Sequence, residues 1–252
     1  MGTTASKAAA VVAVAAALVV MAGCGGGKSK AEATHRAVVD APSLTQAQLE
    51  RAEVGAAELP GWTTEVTEGK GGYAQVVMDP AKRPRAAPVA CGPVYAETDH
   101  LMGGWGPFTA AAGEWVRTDS SGAGEHDVLL SLRSYATAAD ADRVVTDLRT
   151  SLSTCKGQYG PPTQPGTYGS IQQLADPAAG DDAVAFRTVQ TIPGEDPDAV
   201  NAPGHGLYHV VVVRSGATVA TYSEFAMDGD PAAVPMAVVT AQTAKLAKAA
   251  AR

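Results

Sequence analysis

A β-hairpin pattern in the second half of the chain limits the kind of sheet that the chain can form. Two strand-like segments, at 208–214 and 218–225, are separated only by a tight turn at Ser215-Gly216. A tight turn joins antiparallel strands, because parallel neighbours need a crossover of about a dozen residues or more. Apolar alternation over 126–135 predicts a further strand, although Leu129 interrupts it. We therefore expect an antiparallel sheet whose second face is partly covered.

The clearest helix signal begins at Thr137. Thr137 and Asp140 have the spacing of a capping box, and apolar residues then recur at helical spacing as far as Cys155. Cys155 continues this apolar stripe, so its side chain is expected to face the core. The other predicted helices are at 43–58 with Ser43 and Gln46 as a capping box, at 91–102, and after the cap Asp230-Pro231.

Helices and strands are segregated along the chain rather than alternating strictly. The remaining strand patterns are at 62–67, 73–78, 114–118, 168–174 and 183–191. Segregated elements and hairpin signals are typical of the α+β class. The predicted fold is thus an antiparallel sheet with helices packed mainly on one face and one disulfide.

The disulfide prediction concerns two of the three cysteines. If Cys24 is used for lipidation, as argued below, Cys91 and Cys155 remain as an even pair in an exported chain. An even pair in an oxidising compartment favours one disulfide. A zinc site or a reactive thiol is the alternative, but neither cysteine lies in a CxxC motif or a His/Cys cluster.

The N-terminus has the layout of an export signal. Lys7 precedes an uninterrupted Ala/Val/Leu run over 8–20, and small residues lead directly into Cys24. The tetrapeptide Met21-Ala22-Gly23-Cys24 resembles the lipobox of bacterial lipoproteins, in which the cysteine is lipidated and becomes the new N-terminus. An ordinary signal peptide or an N-terminal membrane anchor is the alternative. The apolar run is short for a membrane span of about 20 residues.

Three segments follow from this interpretation: a lipoprotein signal peptide at 1–23, the lipidated cysteine and a flexible tether at 24–42, and one domain at 43–252. Lipidation places the protein at the extracytoplasmic face of the cell membrane. The formal net charge is −7 and the chain has no Lys/Arg-rich run. Contacts to phosphates need clustered cations, so we expect no nucleic-acid partner. The membrane, through the N-terminal lipid, is the first expected partner.

No motif in the chain specifies a reaction, a cofactor or a metal. His205 and His209 have the spacing of two zinc ligands on a helix, but the valine run beside them predicts a strand, on which four residues span about 13 Å. The chain has no GxSxG, GxGxxG or P-loop pattern. No cofactor and no catalytic residue are therefore expected. A carboxylate pair assembled by the fold stays open.

The domain resembles the PknH-type extracellular sensor domain of actinobacterial Ser/Thr kinases and freestanding lipoproteins. The residues that carry this resemblance are 44–49 leading to Leu59-Pro60-Gly61-Trp62, Cys91, Tyr135-Ala136-Thr137-Ala138, Cys155, Gly180-Asp181-Asp182-Ala183 and the 210–219 hairpin. The resemblance implies a sheet and helices that form a cleft, and a role in sensing an extracellular ligand. One disulfide is expected here where kinase members carry two. Without a kinase domain, any signal would pass through a partner.

These observations predict a membrane-anchored, non-enzymatic domain that binds a small ligand or an envelope protein. If one sheet face lines a cleft, five side chains are candidate ligand contacts: Arg133, Tyr135, Arg187, Tyr222 and Glu224. The alternative for each of them is a place on a solvated face. An interaction scaffold of the envelope is the alternative function, and a hydrolase acting on wall or lipid is a third.

Overall fold

The fold was analysed in a computed structural model. It describes residues 42–66, 85–98, 104–118, 126–163, 167–191, 206–227 and 233–251. The chain divides into two units, Met1–Thr34 and His35–Arg252, and every described residue belongs to the second. Cys24, the tether, the predicted strand at 73–78, His205 and Asp230-Pro231 lie outside the described residues.

The described residues form one antiparallel sheet of seven strands. The strands are β1 (Trp62–Val66), β2 (Phe108–Thr118), β3 (Asp127–Tyr135), β4 (Tyr168–Gln173), β5 (Asp182–Gln190), β6 (Gly206–Ser215) and β7 (Thr218–Met227). Their order across the sheet is β1-β2-β3-β7-β6-β5-β4. The predicted hairpin is confirmed as β6 and β7, and the α+β class is confirmed with it. The central pairing of β3 with β7 joins residues far apart in sequence.

The described residues also form four α-helices. They are α1 (Gln46–Arg51), α2 (Gly92–Thr98), α3 (Ala138–Thr154) and α4 (Met236–Ala250), and a 3₁₀ turn at Val89–Cys91 leads into α2. The predicted cap of α3 is confirmed, because Thr137 Oγ1 accepts a hydrogen bond from the Asp140 backbone N–H at 3.1 Å. The cap of α1 is Thr45 with Gln48 rather than Ser43 with Gln46. Helix α4 begins at Met236, with Pro235 as its N-cap.

The prediction that helices cover mainly one face of the sheet is wrong. Helices α1 and α4 pack on one face, called the α1–α4 face below, and α2 and α3 pack on the other, the α2–α3 face. The valine run of β6 explains the difference. Val211 and Val213 are on the α1–α4 face, whereas Val210 and Val212 are on the α2–α3 face. A strand that is apolar on both sides must be covered on both sides.

The predicted disulfide between Cys91 and Cys155 is confirmed. It links the turn before α2 to the end of α3, with the two Cα atoms 4.8 Å apart. Both cysteines are buried in the core of the α2–α3 face. The bond therefore fixes the two helices of that face to each other.

Candidate functional site

A groove lies between α1 and α4. Its volume is about 750 Å³, which is within the range of small-molecule sites. The lining consists of the small residues Ala52, Ala241, Ala244 and Ala249 and of the polar residues Gln48, Arg51, Glu58, Lys245 and Lys248. The groove thus combines an apolar floor with charged walls.

The helical spacing of α4 produces this lining. Ala244 and Lys245 are each three or four residues from both Ala241 and Lys248, so the four side chains lie on the same side of the helix. Alanine side chains at these positions leave open space beside α1. The lysine stems border that space while their ammonium groups reach its rim.

Two side chains of α4 hold the other wall of the groove in place. The Gln242 amide donates to Ala52 O at 2.6 Å and accepts from the Val54 backbone N–H at 2.9 Å. Lys245 Nζ donates to Glu53 O and lies 3.3 Å from Glu58 Oε2. The segment after α1 is therefore tied to α4 by buried and half-buried hydrogen bonds, which makes the groove a preformed feature.

The charge of the groove is opposite to that of the chain. Among the described residues that line it, three are cations, Arg51, Lys245 and Lys248, and one is a carboxylate, Glu58, whereas the chain has a formal net charge of −7. Burial tends to raise the pKa of Glu58, but the hydrogen bond and charge of Lys245 outweigh it and lower that pKa. The lining is therefore positive at neutral pH, and it favours a ligand that carries negative charge.

Two acidic side chains, Glu53 and Glu114, lie behind the groove. Glu114 projects from β2 and is only 2% exposed. The Oε1 atoms of both residues are buried without a hydrogen-bond partner. Burial raises the pKa of Glu53 to about 7, with repulsion from Glu50 adding to it. Burial also raises the pKa of Glu114 to about 8, with repulsion from Glu53 as the next cause.

This acidic pair resembles the paired carboxylates of a hydrolase only in composition. Neither Glu53 nor Glu114 lines the groove. Glu114 is almost completely buried, so a substrate has no access to its carboxyl group. A general acid must reach the atom that it protonates. The pair is therefore better understood as two buried titratable groups beside the groove than as catalytic residues.

Two of the five predicted ligand contacts, Arg133 and Tyr135, are buried on the α2–α3 face. Arg133 forms an ion pair with Glu97, in which Nη1 lies 3.1 Å from Oε1, and it also donates to Thr221 Oγ1. The Tyr135 hydroxyl donates to Trp105 O at 2.7 Å. Both side chains therefore make contacts that hold α2 and the Trp105 segment on the sheet.

The other three predicted contacts lie on the opposite face. Tyr222 belongs to the core of the α1–α4 face, and Glu224 is two residues further along the same strand. Arg187 is in line with Glu224 across the sheet through His209, and residues opposite each other on paired strands share a face. The five predicted residues are thus split between two covered faces, and the structure does not bring them together in one cleft.

Glu224 has a partner that the sequence did not reveal. His126 Nδ1 lies 2.8 Å from Glu224 Oε1, and the His126 ring stacks on Trp62 with ring centroids 5.8 Å apart. Burial raises the pKa of Glu224, and the hydrogen bond from His126 opposes that increase. Glu224 is 98 positions away from His126, so no local pattern linked the two residues.

The acidic residues at 181 and 182 have structural roles. Asp182 forms a bidentate pair with Arg149 at 2.6 and 2.7 Å. Asp181 Oδ2 accepts from the Gly216 backbone N–H at 2.6 Å. In the ranges that the structure describes, no group of three or more His, Cys, Asp or Glu side chains could hold a metal ion.

The groove and the acidic pair were both missed by the sequence analysis. Lysines at 245 and 248 among alanines are equally typical of a solvated helix end, so they give little signal. Glu114 gives a better one. It occupies an inward position between Ala112 and Val116 on β2, and an acidic residue at a core position of a strand is unusual unless it is paired.

Comparisons with known proteins leave the identity of this chain open. No family model matches it, and a search of curated proteins finds no match. Among solved structures, it is similar to the extracellular domain of PknH from Mycobacterium tuberculosis, with 11% sequence identity and a TM-score of 0.45 over 83% of this chain and 97% of that one. A TM-score at this level supports no conclusion about function. In the described parts of the chain, no helix is long and apolar enough to span a membrane.

Proposed function

We propose that this protein is a membrane-anchored extracytoplasmic domain that binds an anionic ligand in the groove between α1 and α4 without transforming it. The anchor is proposed from the sequence, in which the apolar run over 8–20 ends at Met21-Ala22-Gly23-Cys24. Attachment of two or more acyl chains at Cys24 would hold the domain at the membrane persistently, whereas one chain gives only marginal binding.

The observation that carries the ligand proposal is the positive groove on an acidic chain. Arg51 and Lys248 are exposed at the rim, and Lys245 is partly buried in the wall. An anion placed between them would gain charge-assisted hydrogen bonds, and an apolar body would cover the alanine floor. A ligand with one compact anionic group and a small apolar body fits both features.

The same geometry favours binding over catalysis. The described lining residues include no histidine, cysteine, serine or threonine, which are common nucleophiles and proton carriers. Its carboxylate, Glu58, is close to Lys245 rather than to a second acid. The nearby acids with raised pKa values are shielded from the groove. We therefore propose no chemical step for this site.

Binding can be tested with naphthalene-2-sulfonate, a small aromatic anion whose charge does not change over the accessible pH range. Titration calorimetry of the full-length protein in zwitterionic nanodiscs, with empty nanodiscs as the blank, should detect saturable binding. The neutral isostere naphthalene-2-sulfonamide should bind at least about tenfold more weakly, since it lacks the charge that Arg51 and Lys248 recognise.

Variants separate the groove from non-specific cation binding. Arg51→Gln together with Lys248→Gln should weaken sulfonate binding about tenfold or more. Lys156→Gln removes an exposed cation beyond the end of α3 and should leave binding unchanged. Absence of binding by the unaltered protein, or equal losses in both variants, would overturn the proposal.

The anchor has its own test. Cys24→Ala should release the protein from the membrane fraction, because the acyl chains have no other attachment point in this proposal. A Cys24→Ala protein that remains membrane-bound after its signal peptide has been removed would contradict lipid anchoring and leave the ligand proposal standing.

A further inference from the structure

We propose that ligand binding in the α1–α4 groove is linked to protons, so that the groove binds an anion more tightly when the Glu53–Glu114 pair behind it is protonated. This inference rests on the proposed function, since it concerns the same groove. It adds a regulation that the groove lining alone does not predict.

Lys245 is the structural connection between the groove and the pair. It lines the groove, and its Nζ donates to the backbone carbonyl of Glu53. Its charge also acts on the carboxyl groups of both Glu53 and Glu114. Glu53 directly follows Ala52, which lines the groove. Glu114 lies on β2 between Ala112 and Val116, which share a core with Ala52. A charge change at the pair is therefore felt at the site where the ligand would bind.

The balance of charge around the groove reverses when the pair titrates. Among the described residues, the ionisable groups that line the groove are Arg51, Glu58, Lys245 and Lys248. The acids beside them are the pair itself and Glu50, which acts on Glu53. With the pair ionised, these groups comprise four carboxylates and three cations. With the pair protonated, they comprise two carboxylates and three cations. An anion is therefore bound less tightly in the first state than in the second.

The location of the pair explains why it would titrate near neutral pH rather than near pH 4. Both carboxyl groups are largely buried, each has an oxygen without a hydrogen-bond partner, and each is repelled by a neighbouring acid, Glu53 by Glu50 and Glu114 by Glu53. All three conditions favour the protonated form. The pKa values of about 7 and about 8 agree with this picture.

Linkage sets the direction and size of the expected effect. An anion bound beside the pair stabilises the protonated forms and raises both pKa values. A rise of about half a unit in one pKa corresponds to about threefold tighter binding on the acidic side of the transition. The two groups together would therefore give about tenfold tighter binding at pH 6 than at pH 9.

The test measures naphthalene-2-sulfonate binding to the full-length protein in zwitterionic nanodiscs at pH 6 and pH 9. The unaltered protein should bind about tenfold more tightly at pH 6. Glu53→Gln with Glu114→Gln imitates the protonated pair and should bind equally tightly at both pH values. In each single variant, binding should still be about threefold tighter at pH 6 than at pH 9. The test therefore does not depend on the folding of one variant.

Glu65→Gln is the matched control. Glu65 is an exposed carboxylate on β1 that pairs with Arg117 and does not line the groove, so this variant should keep the full ratio. The far-UV circular dichroism spectrum at each pH verifies that every protein compared is folded.

The outcomes distinguish this inference from the function on which it rests. Binding that depends on Arg51 and Lys248 but is equal at pH 6 and pH 9 would overturn the proton linkage and leave the proposed function standing. A pH ratio that persists in the double glutamine variant would overturn the assignment to Glu53 and Glu114. No binding at either pH would overturn both proposals.

Discussion

The two faces of the sheet bury charged groups in opposite ways. On the α2–α3 face, the side chains of Arg133 and Glu97 are 2% and 0% exposed and form an ion pair. On the α1–α4 face, Glu53 and Glu114 are two like charges that leave oxygen atoms without hydrogen bonds. A buried pair of opposite charges holds its neighbours in place, whereas two buried acids respond to pH. We infer that the first face is the structural one and that the second is adapted to ligands.

The ion pair on the α2–α3 face depends on close packing around it. The Arg133 side chain passes directly over Gly104, where an added Cβ would lie 1.1 Å from Nη1 and where the backbone has φ of +87°. Only glycine satisfies both conditions. The pair thereby connects α2, the Gly104 segment, β3 and, through Thr221, β7. Loss of one member would disturb all four.

The largest effect is therefore expected from Arg133→Ala. The substitution leaves the Glu97 carboxylate buried without its cation, and the free energy of unfolding should fall by about 4 kcal/mol. Urea denaturation measures this loss. The control is Arg117→Ala, which removes an exposed partner of Glu65 and Asp127 and should cost less than about 1 kcal/mol. Similar losses in both variants would remove the contrast between the faces.

The disulfide provides the next largest effect on the same face. Cys91→Ala with Cys155→Ala opens a loop of 64 residues and should reduce the free energy of unfolding by about 3 kcal/mol. The α1–α4 groove is on the other side of the sheet, so sulfonate binding by the folded double variant should be unchanged. A loss of binding in the folded variant would show that the two faces are coupled.

A smaller effect, of opposite origin, is expected from the acidic pair. In the folded protein, both carboxyl groups keep protons that the unfolded chain loses near pH 4.5. Their contribution to stability is therefore complete below about pH 4.5, and it is lost progressively as the pH rises from there through 7 and 8. The two pKa values correspond to a loss of about 4 kcal/mol between pH 6 and pH 9. Solvent screening and relaxation around the pair reduce this effect, so we expect the free energy of unfolding to be about 2 kcal/mol lower at pH 9 than at pH 6. In the Glu53→Gln/Glu114→Gln variant, this difference should largely disappear, and a difference of the same size would contradict the assignment.

The smallest effect on stability is expected at the groove rim. Arg51 and Lys248 are exposed, so replacing both by glutamine should change the free energy of unfolding by less than about 0.5 kcal/mol. Thermal unfolding without ligand checks this. A large loss would mean that the two cations hold α1 and α4 together, and the weaker sulfonate binding of this variant would then have a structural cause.

Local patterns were sufficient to predict much of the fold. The cap of Thr137 and the apolar stripe of α3 depend only on neighbouring residues, and all five stripe positions are buried: Ala141, Val144, Val145, Leu148 and Leu152. The β6–β7 hairpin depends on two adjacent segments and one tight turn. The disulfide followed from the number of cysteines and the expected compartment. Each of these features requires little or no knowledge of distant contacts.

The positions of the predicted ligand contacts could not be derived in this way. Arg133 and Glu224 were treated as neighbours on one sheet face, but the register of β3 against β7 places them on opposite sides. A shift of one residue in pairing moves every side chain to the other face. Register between strands about 90 residues apart is set by the packing of both cores together, which no single segment encodes.

By itself, the sequence determined the antiparallel α+β class, the cysteine pair and the helix that carries Cys155, because hydrophobic periodicity, turns and caps act over a few residues. Only the tertiary structure decided that both faces are covered, that Arg133 pairs with Glu97, and that Glu53 and Glu114 lie beside the α1–α4 groove. These outcomes depend on contacts such as that of Val54 with Gln242, 188 residues apart. The physical reason is that burial and charge pairing are properties of the assembled core, in which distant residues exclude water from one another.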